Sequence, residues 1–137
     1  MAAYRTILFL VSNDSGSDEV ALRKLHKVFV TPSTAVYMLY VAAHHVTGFG
    51  HATARGHIAN DMEIKQQHFP RLKTLCERYD IPPKHIHIDV GEPLAIIERY
   101  VRELGIEMLV VFAPKQADYS KLVPLLENCP CDLHIIR

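Results

Sequence analysis

The strongest constraint on the fold is an alternation of short apolar runs with longer amphipathic stretches. Apolar runs of strand length lie at residues 5–11, 33–43, 85–90, 106–113 and 131–137. Helical patterns separate them, so the predicted order is β-α-β-α-β-α-β-α-β. Most of the runs are continuously apolar, which is typical of parallel strands that helices cover on both faces. Because crossovers between parallel strands are nearly always right-handed, we predict one doubly wound, three-layer α/β domain over residues 1–137.

Several residues are predicted to set the boundaries and faces of the helices. Ser17 has the character of an N-cap, and Asp18 follows it in the first helical turn. Pro70 interrupts the second helical pattern, over residues 56–79, and predicts a kink or a fresh first turn there. Pro93 is predicted at the first position of the third helix. The buried face of the first helix is predicted to consist of Ala21, Leu25, Val28 and Phe29.

Composition argues against several classes of function. Fifteen Lys and Arg balance fifteen Asp and Glu, and a chain without net charge lacks the electrostatic footprint for nucleic acid or an anionic membrane. The apolar run at residues 7–11 is too short for a signal segment or a membrane span, so we expect a cytoplasmic protein. Three cysteines are an odd number and do not predict a disulfide framework.

Five segments of the chain together resemble one protein family. They are YRTILFLVSNDSGSDEVALRKL, AVYMLYVAAH, HIHIDVGEPLAII, IEMLVVFAPK and CPCDLHIIR. In this order and spacing, along nearly the whole chain, they resemble the universal stress protein family. The resemblance implies a five-stranded parallel sheet of order 3-2-1-4-5 and dimers formed through the last strand. It also implies a small stress-response or signalling protein without established catalysis.

The chain departs from the pattern by which the family's nucleotide-binding branch holds ATP. The resemblance implies an aspartate at the end of strand one, which falls on Ser12 in this chain. It also implies two closely spaced glycines after strand four, which fall on Phe112 and Lys115, and a later glycine-serine pair, which falls on Tyr119 and Ser120. Glycines there supply positive φ and let backbone N–H groups approach phosphate closely. We therefore expect the ATP mode to be lost, and we expect no cofactor.

The same end of the sheet still offers polar groups for a different ligand. The ends of strands one and four meet at the switch point, where open α/β sheets bind their ligands. The segment SNDSGS precedes a helix N-terminus, an arrangement that can bind an anion or simply form an Asx-type turn and a cap. The alternative function is therefore a sensor of a nucleotide or small phosphate-containing ligand. Its predicted ligand-binding residues are Ser12, Asp14, Ser15, Lys115 and Ser120.

Histidine and cysteine content does not predict a metal, redox or catalytic centre. Nine histidines are present, but no Cys/His spacing matches a known metal pattern, and His85 with His87 is the best pair. Cys129 and Cys131 form a C-x-C, which is tighter than the redox C-x-x-C spacing. No G-x-S-x-G or comparable nucleophile signature occurs, so we expect no enzyme activity.

The last strand predicts an interface between two copies of the chain. An edge strand with apolar residues on both faces is an aggregation hazard unless something covers it. Pairing two such strands across a twofold axis would bury both edges, consistent with the family dimer. The predicted interface residues are Leu133, His134, Ile135 and Ile136. We expect a homodimer that acts through an unidentified protein partner, with mildly acid pH acting on His134.

Overall fold

The computed structural model describes residues 4–12, 15–42, 54–113 and 123–137, excepting the side chains of residues 15 and 54–61. The elements follow the predicted alternation of strands and helices, and each strand lies within its apolar run. In chain order they are β1 (Thr6–Leu10), α1 (Ser15–Phe29), β2 (Ala35–Ala42), α2 (Ala54–Arg78), a 3₁₀ helix (Pro83–His85), β3 (Ile86–Val90), α3 (Pro93–Leu104), β4 (Met108–Phe112), α4 (Val123–Asn128) and β5 (Asp132–Ile136).

The five strands form one parallel sheet of order β3-β2-β1-β4-β5, which confirms the predicted fold. β1 lies at the centre, with Ile7 opposite Val36 of β2 and Met108 of β4. The chain turns toward β2 after β1 and toward β5 after β4, so the carboxyl ends of β1 and β4 form the switch point. β3 and β5 are the edges, because each pairs with only one neighbour.

Apolar clusters cover both faces of the sheet. Ile7 and Phe9 pack with Leu72 in the cluster beneath α1 and α2. Leu8 packs with Ile97 in the cluster beneath α3 and α4. Successive side chains of a strand point to opposite faces, so a continuously apolar β1 contributes to both clusters. The result is the predicted arrangement of three layers.

The helix α3 has well-defined ends. Pro93 is its first residue, as predicted, and Glu92 caps it by accepting the backbone N–H groups of Leu94 (3.1 Å) and Ala95 (2.7 Å). Gly105 follows the helix in the left-handed conformation, with φ 64°. That conformation strains any residue with a side chain, so glycine suits the end of this helix.

Two predictions about the helices were wrong, and a third was wrong in one of its two alternatives. α1 begins at Ser15, so Ser17 lies inside its first turn rather than before it. Val28 is 72% exposed, because it lies at the margin of a stripe whose buried residues are Ala21, Leu22 and Leu25. No new helix starts at Pro70, which lies inside a continuous α2. Proline has no backbone N–H, so α2 lacks one helical hydrogen bond at Pro70. The burial of Leu72, Leu75 and Cys76 in the next turn offsets this loss.

In the described part of the chain, no helix combines the length and the apolar character that a membrane crossing requires.

Candidate functional site

A buried ion pair lies at the carboxyl end of β1. The Asp18 side chain is completely buried, and its carboxylate accepts the Ser12 backbone N–H at 2.7 Å. Arg71 of α2 donates Nη1 to the same carboxylate at 2.8 Å and Nη2 to the Ser12 carbonyl oxygen at 2.8 Å. The backbone of Ser12 is thereby bound at both its donor and its acceptor, by opposite charges from two helices.

The surroundings of Asp18 act on its pKa in both directions, and burial has the larger effect. Burial raises the pKa of its carboxyl, while the Ser12 N–H and the Arg71 guanidinium act to lower it. Arg71 is itself mostly shielded, with 18% of its side chain exposed. Removing either partner would leave the other charge buried without compensation, which is far more costly than losing a surface ion pair. The pair therefore holds the backbone at the end of β1 in one conformation.

Aromatic groups from β2 and α2 surround the guanidinium. The rings of Tyr40 and His68 stack with centroids 4.1 Å apart, and the Arg71 guanidinium carbon lies 5.9 Å from the Tyr40 ring centroid. His68 Nδ1 lies 3.3 Å from Arg71 Nη2. Burial lowers the pKa of His68, and the charge of Arg71 lowers it further. A neutral imidazole can accept a hydrogen bond at Nδ1, so His68 completes the surroundings of Arg71.

The end of β4 lies beside this cluster in the sheet and also carries apolar side chains. Phe112, at the position where the resemblance places the first loop glycine, ends β4 and packs against the core beneath α1 and α2. Ala113 is 2% exposed and donates its backbone N–H to the Ile136 carbonyl oxygen at 2.8 Å. An aromatic ring within the core cannot take over the role of a glycine that approaches phosphate.

Of the five predicted ligand-binding residues, the structure places Ser12 and the backbone of Ser15. Ser12 follows β1, as predicted, and its backbone is held by Asp18 and Arg71. Ser15 is the first residue of α1, and its side chain lies outside the described residues. Also outside them are Asp14, Lys115 and Ser120. Their ligand-binding role stays a prediction.

Sequence reasoning missed the pairing of Asp18 with Arg71, although a signal was present. Asp18 precedes Ala21, Leu22 and Leu25 at helical spacing and so falls on the buried stripe of α1. Arg71 falls in the same way beside Leu72 on α2. Two opposite charges on buried stripes of helices that cover one face of a sheet are candidates for a buried pair.

His85 and His87 lie on one side of the sheet, as predicted. Both rings stack on Tyr37, with centroid distances of 4.1 and 6.2 Å, and His85 Nδ1 lies 3.0 Å from the Val36 carbonyl oxygen. The pair nevertheless lacks a third donor, since no group of three His, Cys, Asp or Glu side chains that could hold a metal occurs among the described residues.

The thiols of Cys76 and Cys131 are held in the protonated form. Cys76 lies fully inside the core, and burial raises its pKa to about 11. Burial and the neighbouring Cys129 raise the pKa of Cys131 to about 12. Since the thiolate is the reactive species, neither thiol is primed for redox chemistry at neutral pH.

The predicted interface strand, β5, lies at an exposed edge of the sheet, and one of its residues is buried in the core. Leu133, His134 and Ile135 of β5 are half-buried, and the His134 ring packs edge-on against Phe29 with centroids 4.7 Å apart. Ile136 is only 5% exposed and packs in the chain's own core. Any contribution of Ile136 to a dimer would therefore come from its backbone.

The sequence model of the universal stress protein family matches residues 3–137. No curated protein sequence matches the chain significantly.

Solved structures share the fold at low sequence identity. Universal stress protein UspA from Lactobacillus plantarum is similar at 19% identity and a TM-score of 0.68, with 100% of both chains covered. A universal stress family protein from Burkholderia pseudomallei is similar at 16% identity and a TM-score of 0.65, with 97% of this chain and 96% of that chain covered. A universal stress protein in complex with cAMP is similar at 13% identity and a TM-score of 0.64, with 98% of both chains covered. With the family model matching nearly every residue, the chain belongs to the universal stress protein family.

Proposed function

We propose that this chain is a cytoplasmic, non-enzymatic regulator of the universal stress type, in which an internal ion pair has replaced the ATP site. The observation that carries the proposal is the Asp18–Arg71 pair on the Ser12 backbone. A nucleotide-binding relative would present a free aspartate at that position. Here the available charge is neutralised within the chain.

The end of β4 supports the same proposal. Phosphate loops bind through backbone N–H groups that come close to the ligand, and glycine permits that approach. This chain has Phe112 and Pro114 there, and proline has no N–H to donate. With the backbone of Ser12 bound within the chain and no glycine in the segment after β4, the protein would act through partners rather than through nucleotide turnover.

The test is a thermal-shift and calorimetry panel with ATP, ADP, AMP and inorganic phosphate, with and without magnesium. A ligand at 100 times its Kd would add about 2.7 kcal/mol of stability. We expect no shift and no heat of binding with any adenine nucleotide. Saturable ATP binding would overturn the proposal, and ATP turnover above a no-protein control would overturn its non-enzymatic part.

A second candidate function is a sensor of a nucleotide or small phosphate in an altered mode. The specific observation in its favour is that a structural neighbour forms a complex with cAMP. The double substitution Lys115→Ala and Ser120→Ala decides it, provided that the panel includes cAMP. A sensor would bind cAMP or another phosphate ligand and lose that binding in the double variant, whereas unchanged binding would place the ligand elsewhere.

The proposal includes a homodimer formed through β5. This strand has no partner on its outer side in the described sheet, and four of its five residues keep exposed surface. Large apolar side chains nearby are exposed as well: Val28 (72%), Leu126 (59%) and Val123 (44%). A second copy on this edge would remove apolar surface from water and satisfy the unpaired backbone groups together.

A further inference from the structure

A cavity of about 670 Å³ lies against the outer edge of β3, separated from the switch point by β2. Its walls come from Lys65, Gln66 and Phe69 of α2, from β3 itself, and from Tyr100 of α3. Because α2 and α3 lie on opposite faces of the sheet, the cavity wraps the edge of β3. Its volume is within the range of pockets that hold small organic molecules.

Aromatic rings give the cavity its character. Phe69 keeps 39% of its surface exposed, although it is large and apolar. The Tyr100 hydroxyl donates to Asp89 Oδ2 at 2.9 Å, and the Arg99 guanidinium pairs with the same carboxylate. Burial acts to raise the pKa of Asp89, but these donors and the Val90 N–H lower it overall. The Tyr100 ring is thus held by its hydroxyl and presents carbon surface to the cavity.

His87 supplies an unsatisfied polar atom to the same wall. Its Nε2 is buried and has no hydrogen-bond partner among the described residues. Burial and the neighbouring His85 lower the pKa of His87, so the ring is neutral at physiological pH. Buried polar atoms without partners are rare in folded proteins and cost free energy. Because His87 is one of the residues that line the cavity, a ligand bound there could supply the missing partner.

The edge of β3 is poorly suited to an added strand. The N–H of Ile86 is bound to the Pro83 carbonyl oxygen, and the N–H of Val90 is bound to the Asp89 carboxylate at 3.1 Å. A pairing strand would have to displace contacts at both ends of β3. The edge therefore favours a compact ligand over an extended peptide.

We propose that this cavity binds a small planar aromatic anion. The ring would lie between Phe69 and Tyr100, the anionic group would pair with Lys65, and a polar group of the ligand would reach His87. The Asp89 carboxylate, which would otherwise repel an anion, is already neutralised by Arg99. This site is separate from the switch point, so it does not depend on the presence or loss of ATP binding.

The test uses 8-anilinonaphthalene-1-sulfonate, an aromatic anion that carries its sulfonate on a planar naphthalene ring and whose fluorescence rises in an apolar site. We expect saturable binding of one probe per chain, with amide chemical-shift changes centred on Phe69 and Ile86–Ile88. Gln66→Trp places a large ring in the cavity from an exposed helix position and should weaken binding roughly tenfold or more. Gln67→Trp is the matched control, since Gln67 is also exposed but does not line the cavity.

Two further measurements make the test specific. Lys65→Glu should also weaken the sulfonate probe, and excess ATP should not displace it. Binding that is unchanged in Gln66→Trp, or shift changes centred on α1 and β5, would overturn the proposal. A mass by sedimentation that falls in Gln66→Trp but not in Gln67→Trp would identify this face as an interface between copies, which would also overturn it.

Discussion

At Arg71, one guanidinium group joins α1, the end of β1 and the ring of Tyr40. Substituting Arg71 is therefore the single change that tests the site most directly. Arg71→Ala leaves the Asp18 carboxylate buried and unpaired, and we expect a loss of about 3–5 kcal/mol in the free energy of unfolding. Arg78→Ala is the control, because the Arg78 and Glu19 side chains are 55% and 27% exposed and the loss of this partly exposed pair should cost less than about 1 kcal/mol. Equal urea midpoints for the two variants would contradict the buried pair.

The same variant has a predicted pH dependence. Burial raises the folded-state pKa of Asp18, so the stability linked to its protonation is full below the unfolded pKa and is lost as pH rises through the folded pKa. Without Arg71 that folded pKa rises further. We expect Arg71→Ala to recover stability relative to the native protein as pH falls from neutral toward the unfolded pKa of aspartate. A deficit that stays constant over this range in urea titrations would contradict this expectation.

The pH dependence of stability that His87 contributes has the opposite sign to that of Asp18. Its pKa is lowered by burial and by His85, so its contribution to stability is present above the unfolded pKa and is lost as pH falls through the folded value. We expect the native protein to weaken below about pH 6.5, with a slope of at most about 1.4 kcal/mol per pH unit from this group. His87→Phe should flatten the slope, while His26→Phe, at an exposed position, should not. Identical slopes in the two variants would exclude His87 as the source.

The helix α3 depends on an N-cap that the sequence pattern did not indicate. Glu92 accepts two backbone N–H groups of the first turn. Glu92→Ala should cost about 1 kcal/mol, the usual value for a lost N-cap. Glu98→Ala, an exposed change within α3, should leave the thermal midpoint nearly unchanged. A Glu92→Ala variant as stable as Glu98→Ala would mean that Pro93 alone starts the helix.

The strands could be predicted because burial on both faces leaves a continuous apolar run that is hard to mistake. Helix details were less predictable, as Pro70 illustrates: local preference opposes a helix there, and tertiary burial of the following turn overrides it. The candidate site was predictable only in its location. Ser12 could be placed from the end of β1, but Arg71 lies 59 positions along the chain, and its pairing with Asp18 depends on how α1 and α2 pack.

The proposed dimer can be tested by measuring the mass of the protein in solution. Ile135→Lys places a charge on the outer edge of β5, which discourages strand pairing. We expect sedimentation of the native protein as two chains and of this variant as one, with the circular dichroism spectrum unchanged. Met62→Lys, at an exposed position on α2, is the control and should remain a dimer. A monomeric native protein would contradict the proposal, and equal masses at about pH 5.5 and 8 would exclude a role for His134.

The two edges of the sheet differ in the backbone groups that they leave for a further strand. On β3, the Ile86 and Val90 N–H groups are already bound within the chain. A sheet that could grow from both edges would polymerise into an open filament, since each added chain would present a new edge. Two chains joined through β5, as proposed, would present only β3 edges to solvent, and a further strand would have to displace these contacts. Assembly through strand pairing would then terminate at two chains, and the protein would remain a closed particle even at high concentration.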